Sequence, residues 1–329
     1  MAADIVETDD RIFIDDIPPM KYGENKDNAF IRSVQLSLNA LGENFSYEYL
    51  MGISGAAFRL HFDPGWCPSS VDPTCGYDVS KVIFESLGYS SDFDKINHHS
   101  FEDIKSLYKK IKTQIDLTRP IVAINLMGQM EWGIITGYLK NEPGILCRTF
   151  FDKTEEYSLA ERAPWLNFFI GEKKQSFLSD DLFLKSMEIA VKLAKTKKFD
   201  EYYSGFAAYE KWISKVKQLL DRHNIQDIQH IMEIHFIILN TLLDARRSAF
   251  KYLTASDISD KMNNGDKILE NYELMVNNLE DASSISGHFK DTFDLKKIIE
   301  TIKEQADLLL NIYELDKEAI HLIEKDLNI

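Results

Sequence analysis

Along the chain, apolar positions first recur at helical spacing in AFIRSVQLSLNAL, residues 29–41, where Phe30, Val34, Leu38 and Leu41 form one stripe and Gly42 supplies a stop. Ser46 is placed to cap a second, short helix four residues before Leu50. In ISGAAFRLHF, residues 53–62, small side chains permit close backbone packing ahead of a strand-like FRLHF. Residues 63–78, DPGWCPSSVDPTCGYD, are dense in Pro, Gly, Asp and Ser and predict a long loop, a kind of segment that often carries function. A helix at 79–87 and a short strand at 91–96 follow, with His98-His99 as a turn or cap. Next comes an amphipathic helix at 101–115, opened by Ser100 with Asp103 three residues on. PIVAINL, residues 120–126, is a buried strand. QMEWGIITGYLKNEPGILCRTFFD, residues 129–152, is a hairpin turning on Asn-Glu-Pro-Gly, with Glu131 and Trp132 where its first strand begins, and WLNFFIG, residues 165–171, closes the strand series.

The patterning changes near residues 173–180. From there to residue 329 only helical stretches are expected, at 180–195, 201–223, 228–253, 256–278 and 295–326. Helices followed by a run of antiparallel strands make an α+β domain. The expected organisation is an acidic N-terminal tail at 1–19, an α+β domain of N-terminal helix plus antiparallel sheet at 20–175, and an all-α helical bundle at 176–329. A chain of 329 residues is long enough for two such domains to bury a core each.

Charge narrows the partners. The formal net charge is −15, with Lys and Arg scattered among acidic neighbours, which disfavours nucleic acid. No apolar run approaches the roughly 18 residues of a membrane span. The start, MAADIVETDD, is acidic and lacks the basic and apolar stretches of a leader, so a cytoplasmic protein away from membranes is expected. Cys67, Cys75 and Cys147 are an odd set, expected as reduced thiols.

The first helix with its Gly42, the SYEYLMGISGAAFRL segment, the PIVAINL strand, and WGIITGY followed after a turn by ILCRTFFD together resemble the papain-like cysteine peptidase superfamily. The resembling branch holds the bacteriocin-leader peptidases and the N-terminal domain of the butirosin-type aminoglycoside acyltransferase, and the likeness covers residues 20–172. It implies a papain-like fold for the first domain and a three-part site. A Cys at the N-terminus of the first helix is the nucleophile, its thiolate favoured by the helix dipole. A His opening the first hairpin strand takes the proton, and an Asp or Asn ending the next strand orients the ring.

Carried over through Thr136-Gly137-Tyr138, these positions fall at Ala29, Glu131 and Asp152. No cysteine precedes Cys67, and near neutral pH a carboxylate does not replace an imidazole without a large pKa shift. The Gln that precedes the family's nucleophile is also absent, with Glu24, Asn25 and Asn28 nearby instead. The resemblance therefore implies a pseudoenzyme without catalytic residues or cofactor. Its decayed cleft, faced by Glu131, Trp132 and Asp152, would bind a small molecule or a protein partner, and two carboxylates with an aromatic face suit an amine-bearing ligand. The plainer alternative is a solvated strand end beside a core tryptophan.

Two other readings stay open. In the first, Cys67, beside Trp66 in the long loop and with His61 as base, or a serine such as Ser33 or Ser37, serves as nucleophile of an amide-forming acyltransferase or hydrolase. No helix N-terminus or oriented His-carboxylate pair supports Cys67 by spacing. In the second, the helical domain mediates homodimerisation through long helices such as 295–326.

His223, His230, Glu233 and His235 invite a metal, but His230 and His235 are five apart and lie on different helix faces, so no metal site is expected. Asp244, Arg246 and Arg247 interrupt an apolar helix. Either they pair between helices, with Glu210 as partner, or Arg246 and Arg247 with Tyr203 and Tyr209 line a pocket for an anionic ligand. Gly52 and Gly55 lack the Gly-Lys-Ser/Thr of a phosphate loop.

Overall fold

A computed structural model describes residues 2–97, 100–175, 177–221, 224–286 and 295–329. In chain order these form strands β1 (Ile5–Glu7) and β2 (Arg11–Ile14), helices α1 (Ala29–Ala40) and α2 (Tyr47–Ile53), strand β3 (His61–Phe62), helix α3 (Val79–Leu87), strand β4 (Tyr89–Lys95) and helix α4 (Phe101–Asp116). Strands β5 (Ile121–Ile124), β6 (Trp132–Leu139), β7 (Ile145–Arg148), β8 (Ser158–Leu159) and β9 (Leu166–Lys173) follow. Then come α5 (Ser179–Lys195), β10 (Lys198–Phe199), β11 (Tyr202–Ser204), α6 (Gly205–Lys217), α7 (Ile225–Ala255), α8 (Ile258–Lys261), α9 (Gly265–Ser286) and α10 (Leu295–Leu327). The chain divides into two units, Met1–Leu50 with Phe84–Phe177, and Met51–Ile83 with Leu178–Ile329. Among the described residues no helix is long and apolar enough to cross a membrane.

The first unit is α+β with an antiparallel sheet, in the order β1-β2-β6-β5-β9-β4, while β7 pairs with β6 and β8 with β7. β6 is its hub. β7 occupies one edge, from Ile134↔Arg148 to Tyr138↔Ile145. The other edge is shared in succession by β5, from Ile124↔Trp132 to Ile121↔Ile135, and by β2, from Phe13↔Gly137 to Arg11↔Leu139. Helices α1 and α4 pack against β6, whose side chains are buried almost throughout, and WGIITGY is correspondingly continuously apolar.

The stretch expected as an acidic tail supplies β1 and β2 instead. β2 satisfies the free ladder groups in the second half of β6, and the Tyr157 hydroxyl ties the segment down by donating to Ile14 O at 2.7 Å and accepting from Ile17 N at 3.1 Å. The helix signals hold as expected. Ser46 caps α2, accepting from Tyr49 N at 3.1 Å, while α1 is capped by a residue the sequence did not single out for this, Asn28, whose Oδ1 accepts from Ile31 N at 3.1 Å. Gly42, with φ +89°, ends it as Glu43 N reaches back to Leu38 O at 3.1 Å. Ser100 caps α4, accepting from Asp103 N at 3.3 Å.

The second unit is mostly helical and includes residues 51–83, which the sequence placed in the first domain. Small side chains decide this. A Cβ on Gly52 would stand 2.3 Å from the ring of Tyr252 on α7, so only glycine lets the two helices approach this closely. Ala57 O accepts from Arg246 Nη1 at 2.8 Å, and β3 joins β11 and β10 in a small antiparallel sheet through Ser204↔His61. β10 and β11 were not expected; strands of two and three residues are too short to show alternation. The other helices follow the periodicity, except that β11 takes the first turn expected of α6 and Asp257, at φ +53°, separates α7 from α8.

Arg246 is buried. Its Nη2 donates to Asp316 Oδ2 on α10 at 2.6 Å, and the Tyr209 hydroxyl donates to the same oxygen at 3.0 Å. The expected interhelical ion pair thus exists with Asp316 and not with Glu210, whose carboxylate accepts from the Tyr313 hydroxyl at 3.0 Å. Arg247 pairs with Glu280 at 2.7 Å.

A second polar contact crosses the core at His235, which is fully buried. Trp212 Nε1 donates to its Nδ1 at 3.1 Å, and its Nε2 faces Gln305 Oε1 at 3.2 Å. An indole only donates, so His235 is neutral with its proton on Nε2. Burial pushes its pKa down to about 4. Because the unfolded value is about 6.5, the stabilisation is complete above that pH and is lost as pH falls towards about 4. Thermal unfolding midpoints should therefore fall more steeply over this interval in the native chain than in His235→Gln. Equal slopes would show that His235 does not titrate with unfolding.

Candidate functional site

In the first unit the side chains of α1 and β6 meet at their starts. The Phe30 ring lies edge-on to Trp132 at 5.1 Å and to Phe168 at 5.4 Å, and Trp132 and Phe168 stand 5.5 Å apart. Trp132, expected to face a cleft, is 2 % exposed and belongs to this aromatic core. Ala29 precedes Phe30 as the first helical residue of α1 and is itself buried, and Glu131 precedes Trp132. The residues at the first two family positions therefore each neighbour a ring of one contact.

Glu131 is held from two sides. Tyr22 donates its hydroxyl to Oε2 at 2.5 Å, and Trp132 N donates to Oε1 at 3.2 Å. Tyr22 lies flat on Phe150, with centroids 4.2 Å apart and planes 17° apart. Burial first, and then the Glu131 charge, raise the Tyr22 phenol well above its ordinary pKa of about 10. The phenol therefore stays a donor and the carboxylate an acceptor. Apolar surface is displayed nearby in sequence or contact: Met130 is 78 % exposed, Tyr22 52 % and Phe151 40 %.

Asp152 is oriented differently from its expected role. Its side chain is 1 % exposed and turned into the corner after β7. Oδ1 accepts from Ser158 Oγ at 3.0 Å and Thr149 N at 3.3 Å, and Oδ2 from Arg148 Nη1 at 3.4 Å. Arg148 in turn donates to the carbonyls of Ile17, Glu155 and Glu156 and stacks on Tyr157 at 4.3 Å. A carboxylate so enclosed pins a turn and offers nothing to a ligand. Burial raises its pKa against these donors.

The alternative nucleophiles fare no better. Cys147, the cysteine of the first unit, is buried in β7, and burial pushes its thiol up to about 12. Ser33 and Ser37 are wholly buried in α1. In the second unit Cys67 is exposed, with Sγ 2.9 Å from Ser69 Oγ. Its expected base, His61, is buried and accepts the Tyr77 amide on Nε2 at 3.2 Å. Burial, with the Arg59 charge, takes its pKa down to about 2, so it does not hold an abstracted proton near neutral pH. All three cysteines are free thiols.

Among the described residues the ion-pair partner of His230 is Glu233, at 4.0 Å on the surface, while His235 is in the core. Among the described residues no group of three or more His, Cys, Asp or Glu side chains converges as a metal site. His98-His99 and His223 lie outside the described residues. Arg246 and Tyr209 are spent on Asp316 within the core and are not available to an anionic ligand, and Arg247 is engaged by Glu280. Trp66 is 8 % exposed and packs on Phe62 at 5.2 Å.

Tyr22 and Phe150 escaped the sequence reading. The available signal was a lone aromatic, Tyr22, in the polar loop KYGENKDN directly ahead of the helix whose N-terminus mattered. No protein-family model matches the chain, and no curated protein matches it at a significant level.

Replacing Tyr22 by Phe should remove no tyrosinate absorbance developing near pH 10, and Glu131→Gln should lower the pH at which Tyr22 ionises. Loss of a step centred near pH 10 in Tyr22→Phe would show that the two side chains are not coupled.

Proposed function

We propose that the first unit is a papain-like domain without catalysis and that the protein acts by binding, with the surface around Tyr22, Met130 and Glu131 as its site. The observation that carries this reading is the Tyr22–Glu131 hydrogen bond, 2.5 Å long, at the position where the family needs a titrating imidazole. Chemistry of the family type requires a thiol at the helix start, a base beside it and a third group to orient that base. Here Ala29 stands at the helix start, Glu131 is committed to a phenol, and Asp152 is committed to Arg148, Ser158 and Thr149.

The same arrangement suits a ligand. Glu131 is a carboxylate beside the exposed faces of Met130 and Tyr22, which favours a partner offering apolar surface together with a positive charge. An amine-bearing small molecule, or a basic and apolar segment of a protein, meets that description. The two-carboxylate version of the site reduces to one carboxylate, because Asp152 is enclosed.

Treatment of the native chain with iodoacetamide and with an acyl thioester, read by mass spectrometry, tests the non-catalytic reading. Below the usual thiol pKa of about 8.5 no cysteine should react rapidly; Cys67, which is exposed, should react first, Cys75, whose thiol burial raises, more slowly, and Cys147 last. Selective labelling of one cysteine well below that pH, or transfer of the acyl group to it, would establish an activated nucleophile and overturn the reading.

A further inference from the structure

The second unit holds a cavity of about 320 Å³, near the lower size limit of roughly 300 Å³ for small-molecule sites, lined by none of the residues around Glu131. Trp66, Leu219, Ile231 and Ile234 supply its apolar walls, and Lys215, Gln218 and His230 its polar ones. The loop that delivers Trp66 is built around Asp63, whose backbone oxygen accepts from Trp66 N at 2.9 Å and whose Oδ1 accepts from Gly65 N at 2.9 Å.

Trp66 itself carries φ +62°, in the left-handed region that a bulky side chain rarely adopts. The preceding residue is Gly65, which would bear such a backbone without cost, yet the positive φ falls on the tryptophan. Strain held at one aromatic residue over a cavity is characteristic of a binding site. The indole is fixed from behind by Phe62 at 5.2 Å and His235 at 6.5 Å, so it is a preorganised wall.

The polar side of the cavity has one sign. Lys215 is half-buried on the last turn of α6, and among the described residues no carboxylate lies within ion-pair distance of its ammonium. Gln218 adds an amide and His230 an imidazole. One fixed ammonium beside an amide and an imidazole suits a single carboxylate, and the apolar walls leave space for a single ring. We infer that this cavity binds a small aryl carboxylate, its ring between Trp66 and the isoleucines of α7 and its carboxylate on Lys215.

Hydrocinnamate and its neutral amide, titrated into the full-length protein and followed by saturation-transfer NMR and tryptophan fluorescence, test this. Hydrocinnamate should bind saturably at millimolar or lower concentration, about tenfold more tightly than the amide. Lys215→Arg should keep that preference, Lys215→Met should abolish it, and Trp66→Phe should abolish the fluorescence change. Lys215 also complements the C-terminal end of the α6 dipole, but loss of that role would lower the unfolding temperature without changing the ratio of the two affinities. Absence of saturable binding, equal affinity for acid and amide, or a preference that survives in Lys215→Met would overturn the inference.

Discussion

The contact between the rings of Phe30 and Trp132 is the constraint on which the first unit depends. It joins the start of a helix to the start of a strand, and that strand, β6, is the one whose edges serve β7 on one side and β5 and β2 on the other. Moving the start of β6 would shift three pairings at once. Residue 131 is thereby held at the mouth of an apolar strand, and its carboxylate is tolerated because Tyr22 and the Trp132 amide donate to it. Glu131 is more than a solvated strand end. It is an acceptor fixed by a phenol that burial and the same carboxylate keep protonated.

The second unit rests on a different kind of contact. Burying Arg246 costs desolvation that Asp316, Tyr209 and the carbonyl of Ala57 together offset. Since Ala57 belongs to the captured segment 51–83, the guanidinium specifies how that segment docks on α7. Gly52 serves the same docking by sterics, where Tyr252 leaves no space for a Cβ. Hydrogen bonds from a buried arginine set direction while small residues set distance, and neither would suffice alone.

Much of this was legible in the sequence. Helix ends at Gly42, Ser46 and Ser100 follow local rules that need only a few neighbouring residues, and the long helical stripes and the hairpin survive because their periodicity is extended. The assignment of residues 51–83 was not legible, because GISGAAF signals close packing without naming the element packed against. Asp316 was chosen by Arg246 over Glu210 from seventy residues away, which spacing within one helix cannot disclose. Asp152 illustrates the converse: its residue type suits a catalytic role and a turn equally, and four donors in the fold decide for the turn. Ala29 and Glu131 were found because a resemblance pointed to them. Tyr22, which gives Glu131 its meaning, lies outside any motif.

In the reading proposed above, α1 and β6 keep the geometry of a thiol–imidazole site while their residues have lost its chemistry. The most direct measurement restores both groups, in Ala29→Cys combined with Glu131→His, and follows thiolate absorbance against pH beside the single variant Ala29→Cys. If the geometry is retained, the thiol at position 29 ionises at least about one pH unit lower in the combined variant, as an imidazolium at a helix N-terminus demands. The same pKa in both variants would mean that residues 29 and 131 do not face one another, and would contradict the account.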